Sequence, residues 1–165
     1  MGNLFLGIKV PLKISKEIYA KLLPLFNKCK ALKIESPQNY HLTLKFYGNI
    51  SKDKIDFESI KKCQEIKQFD LELNGLGQFN NRILFVKASH ILVFNKFEEL
   101  LKPDKFATHI TVARNSSLNL NLKLIINDIK DLKAVFTVNK LYLLENVKIG
   151  AKKSYVSIQD FPLGK

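Results

Sequence analysis

The sequence predicts an α+β protein built mainly on antiparallel strands and divided into two halves of similar outline. Three observations predict it. The chain has 165 residues, 46% of them hydrophobic and 25% charged, which suits one domain or two small lobes around a shared site and a core that needs no metal or disulfide staple. Stretches of period-two alternation mix with stretches of helical spacing, without the regular strand–helix–strand rhythm of a doubly wound parallel sheet. The order of elements in the first half then returns in outline in the second.

Leu4 to Val10 reads as a strand that Pro11 ends. Ser15 is expected to cap a helix whose apolar positions Ile18, Leu22, Leu25, Phe26 and Cys29 keep helical spacing, with Pro24 as a kink or early end. Asn39 to Tyr47 alternates strictly and is punctuated by Gly48-Asn49, so it reads as a strand. A second helix is expected to begin at Ser51 or Asp53 and to run through Ile55, Ile60 and Ile66. Phe69 to Leu76 and Arg82 to Ala88 form a predicted hairpin around Gly77-Gln78-Phe79-Asn80-Asn81. The second half opens with a helix over Ile91 to Leu101. A turn at Lys102-Pro103-Asp104-Lys105 leads to a short strand at Thr108 to Ala113. A helix is expected over residues 118–129, and strands near Ala134 to Val138, Lys140 to Glu145 and Ser154 to Gln159 close the chain.

The charge narrows the partners. Lys plus Arg number 27 against 15 Asp plus Glu, a formal net charge of +12, which makes a polyanion the first partner to consider. Arg82 and Arg114 are the only arginines, so the excess rests on lysine, the less specific phosphate reader. Dispersed lysines also serve solubility alone. Cys29 and Cys63 have neither CxxC spacing nor companion histidines, so reduced cysteines are expected and neither a zinc site nor a disulfide framework is indicated. No run approaches a membrane span, and Met1 to Leu12 lacks the continuous apolar core of a signal peptide. Gly2 does not complete a myristoylation motif, because Leu6 stands where Ser or Thr is required. A cytoplasmic protein without membrane contact is expected.

The repeat becomes sharp at His41-Leu42-Thr43-Leu44 and His109-Ile110-Thr111-Val112. Side chains alternate across a strand, so His41 and Thr43 are expected on one face, with Leu42, Leu44 and Phe46 turned to the core. With four threonines in the chain, a histidine has Thr two places on about one time in forty by composition, so two of three histidines doing so is a rare accident. Two imidazoles converging from equivalent strands can serve as general base and general acid near neutral pH, while the hydroxyls donate hydrogen bonds to an anion between them. An anionic phosphodiester fits that arrangement, and its charge favours the protonated imidazole. Asp, Glu and His form no cluster with metal-ligand spacing, so a metal-free reaction with no cofactor is expected.

These two segments resemble the duplicated H-x-T-hydrophobic signature of the 2H phosphoesterase superfamily. Within it, the chain resembles the RNA 2′,3′-cyclic phosphodiesterases, the LigT-like or 2′-5′ RNA ligase-like family. The likeness extends over Asn3 to Ile8, Asn39 to Gly48, His109 to Arg114, Leu141-Tyr142-Leu143 and Tyr155 to Leu163, end to end. It implies one bilobal domain over residues 1–165, with two pseudo-two-fold antiparallel sheets, outer helices and a central cleft holding the motifs at 41–44 and 109–112. It implies opening of RNA 2′,3′-cyclic phosphate ends to 2′-phosphomonoesters, with His41 as proton donor to the leaving 3′ oxygen and His109 as proton acceptor from water. Thr43, Thr111 and Arg114 would bind phosphate, reverse 2′-5′ ligation would be a secondary activity, and tRNA halves stand among the RNA partners of an expected monomer. Two departures stand out: Thr108 where the family often has proline, and Asn146 where serine is common.

Other residues admit two readings. Arg114 either forks onto a phosphate oxygen or pairs with a surface carboxylate. Lys45, expected on the face of His41 and Thr43, either attracts the RNA backbone or is solvated, and Tyr47, with Tyr40 behind it, either stacks a terminal base or packs in the core. His90 has no threonine partner and reads as a helix-start or surface residue. The rival functions are hydrolysis of a cyclic phosphate on a small nucleotide, such as an ADP-ribose cyclic phosphate or a 2′-5′ oligonucleotide, and a non-catalytic RNA-binding module.

Overall fold

Antiparallel pairing organises the chain. The computed structural model describes residues 2–117, 119–127, 129, 131–150 and 152–165. Along them run β1 (Leu4–Lys9), α1 (Leu12–Lys28), β2 (Leu32–Ile34), β3 (His41–Gly48), α2 (Phe57–Cys63), β4 (Phe69–Phe79) and β5 (Ile83–Ser89). The second half continues with α3 (Ile91–Leu101), β6 (His109–Asn115), α4 (Leu122–Ile126), β7 (Lys133–Val138), β8 (Lys140–Ile149) and β9 (Lys152–Pro162). The strands form one sheet in the order β7-β4-β5-β6-β3-β1-β8-β9, with β2 on the other end of β6.

That order is nearly symmetric about its middle. β6 and β3 lie at the centre, β5 and β1 flank them, and β4 and β8 come next. The duplicated antiparallel sheets expected from the sequence are therefore two halves of one sheet, joined where Leu42 of β3 pairs with Ile110 of β6. Helix α1 buries Ile18, Leu22, Leu25 and Phe26, and α3 buries Phe94, Phe97 and Leu101. Each such apolar side chain contributes about 1.5–3 kcal/mol on burial. Among the described residues no helix is long and apolar enough to cross a membrane.

Several element boundaries differ from expectation for local reasons. Helix α1 begins at Leu12, not beyond Ser15, because Pro11 supplies a preset φ of −53° and has no N–H to lose at a helix start. Ser15 instead sits buried within the helix, its Oγ donating to the Val10 carbonyl at 3.4 Å. The helix also runs through Pro24, since Pro24 and Ala20 both lie on its exposed face, where the unpaired Ala20 carbonyl can reach water. Asn39 ends a single 3-10 turn instead of opening β3. Residues 52–54 form another such turn, and α2 starts after Asp56, whose carboxylate accepts from the Ser59 amide at 3.1 Å as an N-cap. The expected helix over 118–129 is only α4, and its expected members Leu118 and Asp128 lie outside the described residues. Strand β4 runs on to Phe79, three residues further than expected, because Asn80 and Asn81 both adopt positive φ and tighten the turn to residues 80–82, and β5 starts one residue later than expected, at Ile83.

Candidate active site

His41 and His109 are the first residues of β3 and β6, the two central strands. Each ring is held from behind in the same way. His41 Nδ1 lies 2.6 Å from the Asn39 carbonyl, and His109 Nδ1 lies 2.8 Å from the Ala107 carbonyl. A carbonyl only accepts, so each Nδ1 carries the proton and each Nε2 is left free for chemistry. Aromatic rings fix the planes: Phe5 and Tyr155 lie 4.8 and 4.5 Å from His41, and Phe79 and Phe85 lie 5.0 and 5.3 Å from His109.

Both imidazoles open into one cleft of about 220 Å³ at the centre of the sheet. Thr43, Thr111 and Arg114 line it too, so the structure brings together these five expected site residues. A larger groove of about 860 Å³ between α2, β4 and α3 holds His90 but none of the expected site residues; His90 precedes α3 and packs edge-on against Phe69. Burial pushes the His41 imidazolium down to about 4, against the bond to Asn39, and the charges of Lys153, His109 and Arg114 add to the depression. His109 is lowered by burial as well, with the bond to Ala107 opposing and Arg114 assisting. Both rings are therefore neutral near pH 7 and receptive to an anion whose charge would raise them.

Strict alternation fails just past each threonine, with direct effect on the site. On β1 the adjacent residues Leu6 and Gly7 pair with Lys45 and Thr43, so Leu44 is an extra residue in β3. On β5 the adjacent Leu84 and Phe85 pair with Ala113 and Thr111, so Val112 is the extra residue in β6. A bulge flips the facing of everything after it. Phe46, expected in the core with Leu42 and Leu44, is consequently 59% exposed and lines the cleft. Arg114 is carried into the cleft by the same device, five residues after His109, as Phe46 stands five after His41.

The flip corrects two expectations. Lys45 does not face the cleft; its Nζ donates to the Leu101 carbonyl at 2.5 Å, compensating the C-terminal end of α3. Tyr47 does not offer a stacking face there either. It packs against the core near Cys63 and Asp56, and burial raises its hydroxyl pKa. Tyr40 is buried outright. Arg114 lines the cleft, and its Nε lies 3.5 Å from Glu35 Oε1, the carboxylate pairing of its second reading.

Glu35, Asn39, Phe46, Lys153 and the aromatic rings around the histidines had no functional reading from the sequence. Glu35 arrives because β2, a three-residue strand too short to signal itself, pairs with β6, and the Glu35 amide just past its end donates to the Val112 carbonyl at 2.9 Å. Asn39 works on two sides, its carbonyl holding His41 and its side-chain amide donating to the Lys153 carbonyl of β9 at 3.0 Å. The pairing of Asn39 with His41 two residues on was legible as a spacing, but its tie to β9 was not.

A family model described as LigT like Phosphoesterase matches residues 12–85, the stretch that holds the first His-Thr pair. An RNA 2′,3′-cyclic phosphodiesterase of Methanocaldococcus jannaschii is 28% identical over 135 residues, covering 74% of this chain and 76% of that protein. A protein of the same name from Aquifex aeolicus is 26% identical over 177 residues, covering 92% of this chain and 88% of its own. The crystal structure of E. coli LigT in apo form aligns with a TM-score of 0.77 at 20% identity, covering 99% of this chain and 98% of that one, which shows the shared fold.

Proposed function

We propose, from the premise that the chain is a LigT-like phosphoesterase of the 2H superfamily, that it hydrolyses RNA 2′,3′-cyclic phosphate ends to 2′-phosphomonoesters. The observation that carries this reading is the convergence of His41, Thr43, His109 and Thr111 on one cleft, each imidazole with its Nδ1–H committed to a main-chain carbonyl. His109 Nε2 takes a proton from water as the water oxygen bonds to phosphorus. The bond from phosphorus to the 3′ oxygen breaks, and His41 Nε2–H delivers a proton to that oxygen. The threonine hydroxyls and Arg114 hold the non-bridging oxygens and take up the charge that builds on them.

The bound anion supplies what an empty cleft lacks, a reason for His41 to be protonated. Its negative charge offsets the burial that holds His41 near 4. Two side chains thus account for both proton transfers, and the reading needs no metal. Replacing water by a ribose 5′-hydroxyl yields a 2′-5′ linkage by the same steps, the secondary ligase activity. Phe46, exposed at the lip of the cleft, offers the stacking face sought in Tyr47. The net charge of +12 supports an RNA strand, tRNA halves included, over a lone nucleotide. Both histidines come from one chain, so residues 1–165 suffice as one catalytic unit and a monomer can act.

The test is incubation of an RNA oligonucleotide bearing a 2′,3′-cyclic phosphate with purified protein in excess EDTA, reading the product isomer. A 2′-phosphate end is expected. A 3′-phosphate product overturns the assignment of leaving group, and activity that vanishes with EDTA overturns the metal-free mechanism.

A further inference from the structure

We propose that Lys148 and Lys153, facing each other on the β8–β9 hairpin, form a subsite for the backbone phosphate of the nucleotide that precedes the cyclic end of an RNA strand. The proposal rests on the hydrolysis reading for the identity of the strand's end. Its own basis is an anomaly in the hairpin. Lys148 and Lys153 are direct cross-strand partners, and like charges directly opposite repel. Among the described residues neither has a carboxylate partner, the ion pairs being Lys61–Glu58, Arg114–Glu35 and Lys140–Asp160. The last of these lies on the same two strands. The hairpin therefore neutralises a lysine at its far end and leaves two ammonium groups side by side at the end near the cleft.

The surroundings show what would settle there. Asn146 pairs with Tyr155 one same-face step from the lysine pair, and both line the catalytic cleft. Two strand residues separate the steps, about 7 Å, comparable to one extended nucleotide. Tyr155 links them physically: its ring lies 4.5 Å from that of His41 and 4.9 Å from Lys153 Nζ. A groove of about 590 Å³, lined by Gly2, Asn3, Lys148 and Lys153, shares Asn146 and Lys153 with the cleft and so continues it. Its carboxylate, Glu145, accepts from the Gly2 amide at 2.7 Å.

A second groove of about 620 Å³ also leaves the cleft, past Tyr19, Gln38 and Ser154, but it carries the Glu35 carboxylate and a single lysine, Lys153. The charge pattern sends a polyanion along the hairpin. Lysines that track a backbone, beside an aromatic ring at the reacting end, are what single-stranded nucleic acid requires.

The experiment measures binding of an RNA tetranucleotide ending in a 2′-phosphate and of the matching nucleoside 2′-phosphate, by anisotropy and calorimetry, across a salt series. The wild-type protein is expected to bind the tetranucleotide several-fold more tightly. In Lys148→Gln that advantage shrinks and the salt slope for the tetranucleotide falls by about 0.7, the value of one single-strand phosphate contact. The double variant with Lys153→Gln loses a second such increment. An advantage and slope that stay at wild-type values in both variants overturn the subsite. So does an equal loss for both ligands. Hydrolysis of the corresponding cyclic phosphates is assayed in parallel: a wild-type protein that turns over neither overturns the enzymatic reading, while the binding ratio decides the subsite by itself.

Discussion

Each histidine owes its assigned role to contacts that a single substitution can remove. His41→Ala and His109→Ala are each expected to lower kcat on a cyclic-phosphate RNA by about 10²–10⁴, the range of a lost general acid or base. The RNA dissociation constant should stay within a few-fold of wild type, because the proposed reading assigns binding to lysines and threonines. Weakened binding with undiminished turnover, read by single-turnover kinetics and anisotropy, would sink the roles. The same burial makes a prediction about stability. His41 titrates near 6.5 when unfolded and near 4 when folded, so between those values the unfolded chain holds more protons. Stability is full above about 6.5 and is lost as pH falls toward 4. The melting temperature should therefore drop over that window, by a few degrees more in wild type than in His41→Gln, and a 2′-phosphomonoester should shrink the drop by raising the folded-state pKa. A variant that keeps the whole acid slope would show that the slope belongs elsewhere.

The strands and helices that aim these residues depend on close backbone approach. A Cβ on Gly7 would stand 2.6 Å from the Leu42 carbonyl, on the strand next to β1, where only main chain lies in the way. Gly7→Ala is therefore expected to cost about 1–3 kcal/mol in urea unfolding by prising β1 from β3, and to lower kcat by shifting His41. An unchanged midpoint would mean that the pair can spread freely. Apart from the short β2, the element order, the two-half pattern and the exact span of α3 were legible, because each rests on periodicity that burial enforces. Boundaries such as the Asp56 cap and the Pro11 start were not, since several polar residues competed for each cap and only packing chose among them. The bulges at Leu44 and Val112 were the costliest omission. Nothing in Leu-Thr-Leu-Lys-Phe marks an extra residue, so strict alternation sent Lys45 to the cleft and Phe46 to the core, the reverse of what is found. The His-Thr pairs, which precede the bulges, were unaffected.

For the molecule as a whole, the decisive feature is that the proposed acid and base, His41 and His109, come from different halves. Bifunctional catalysis needs both imidazoles at one phosphorus atom, so the spacing between halves is a chemical parameter as well as a structural one. That spacing is set at the seam, where β3 and β6 are joined through the single partnered position Leu42–Ile110, both side chains fully buried. Truncating Ile110 to alanine removes apolar volume from the seam itself. Truncating Ile60, equally buried in α2, removes the same volume from a helix instead of from the paired strands. Each substitution is expected to cost about 2–5 kcal/mol in urea unfolding. Only Ile110→Ala should also lower kcat, by an order of magnitude or more, at a temperature where both variants are fully folded, because a small change in the relative placement of reacting groups is costly. If the two variants lose stability and keep kcat alike, the histidines are aligned by the substrate instead of the seam. If both lose kcat alike, activity follows general stability and the seam has no separate role. A loss confined to Ile110→Ala would establish that the central β3–β6 pairing holds the acid and the base in register.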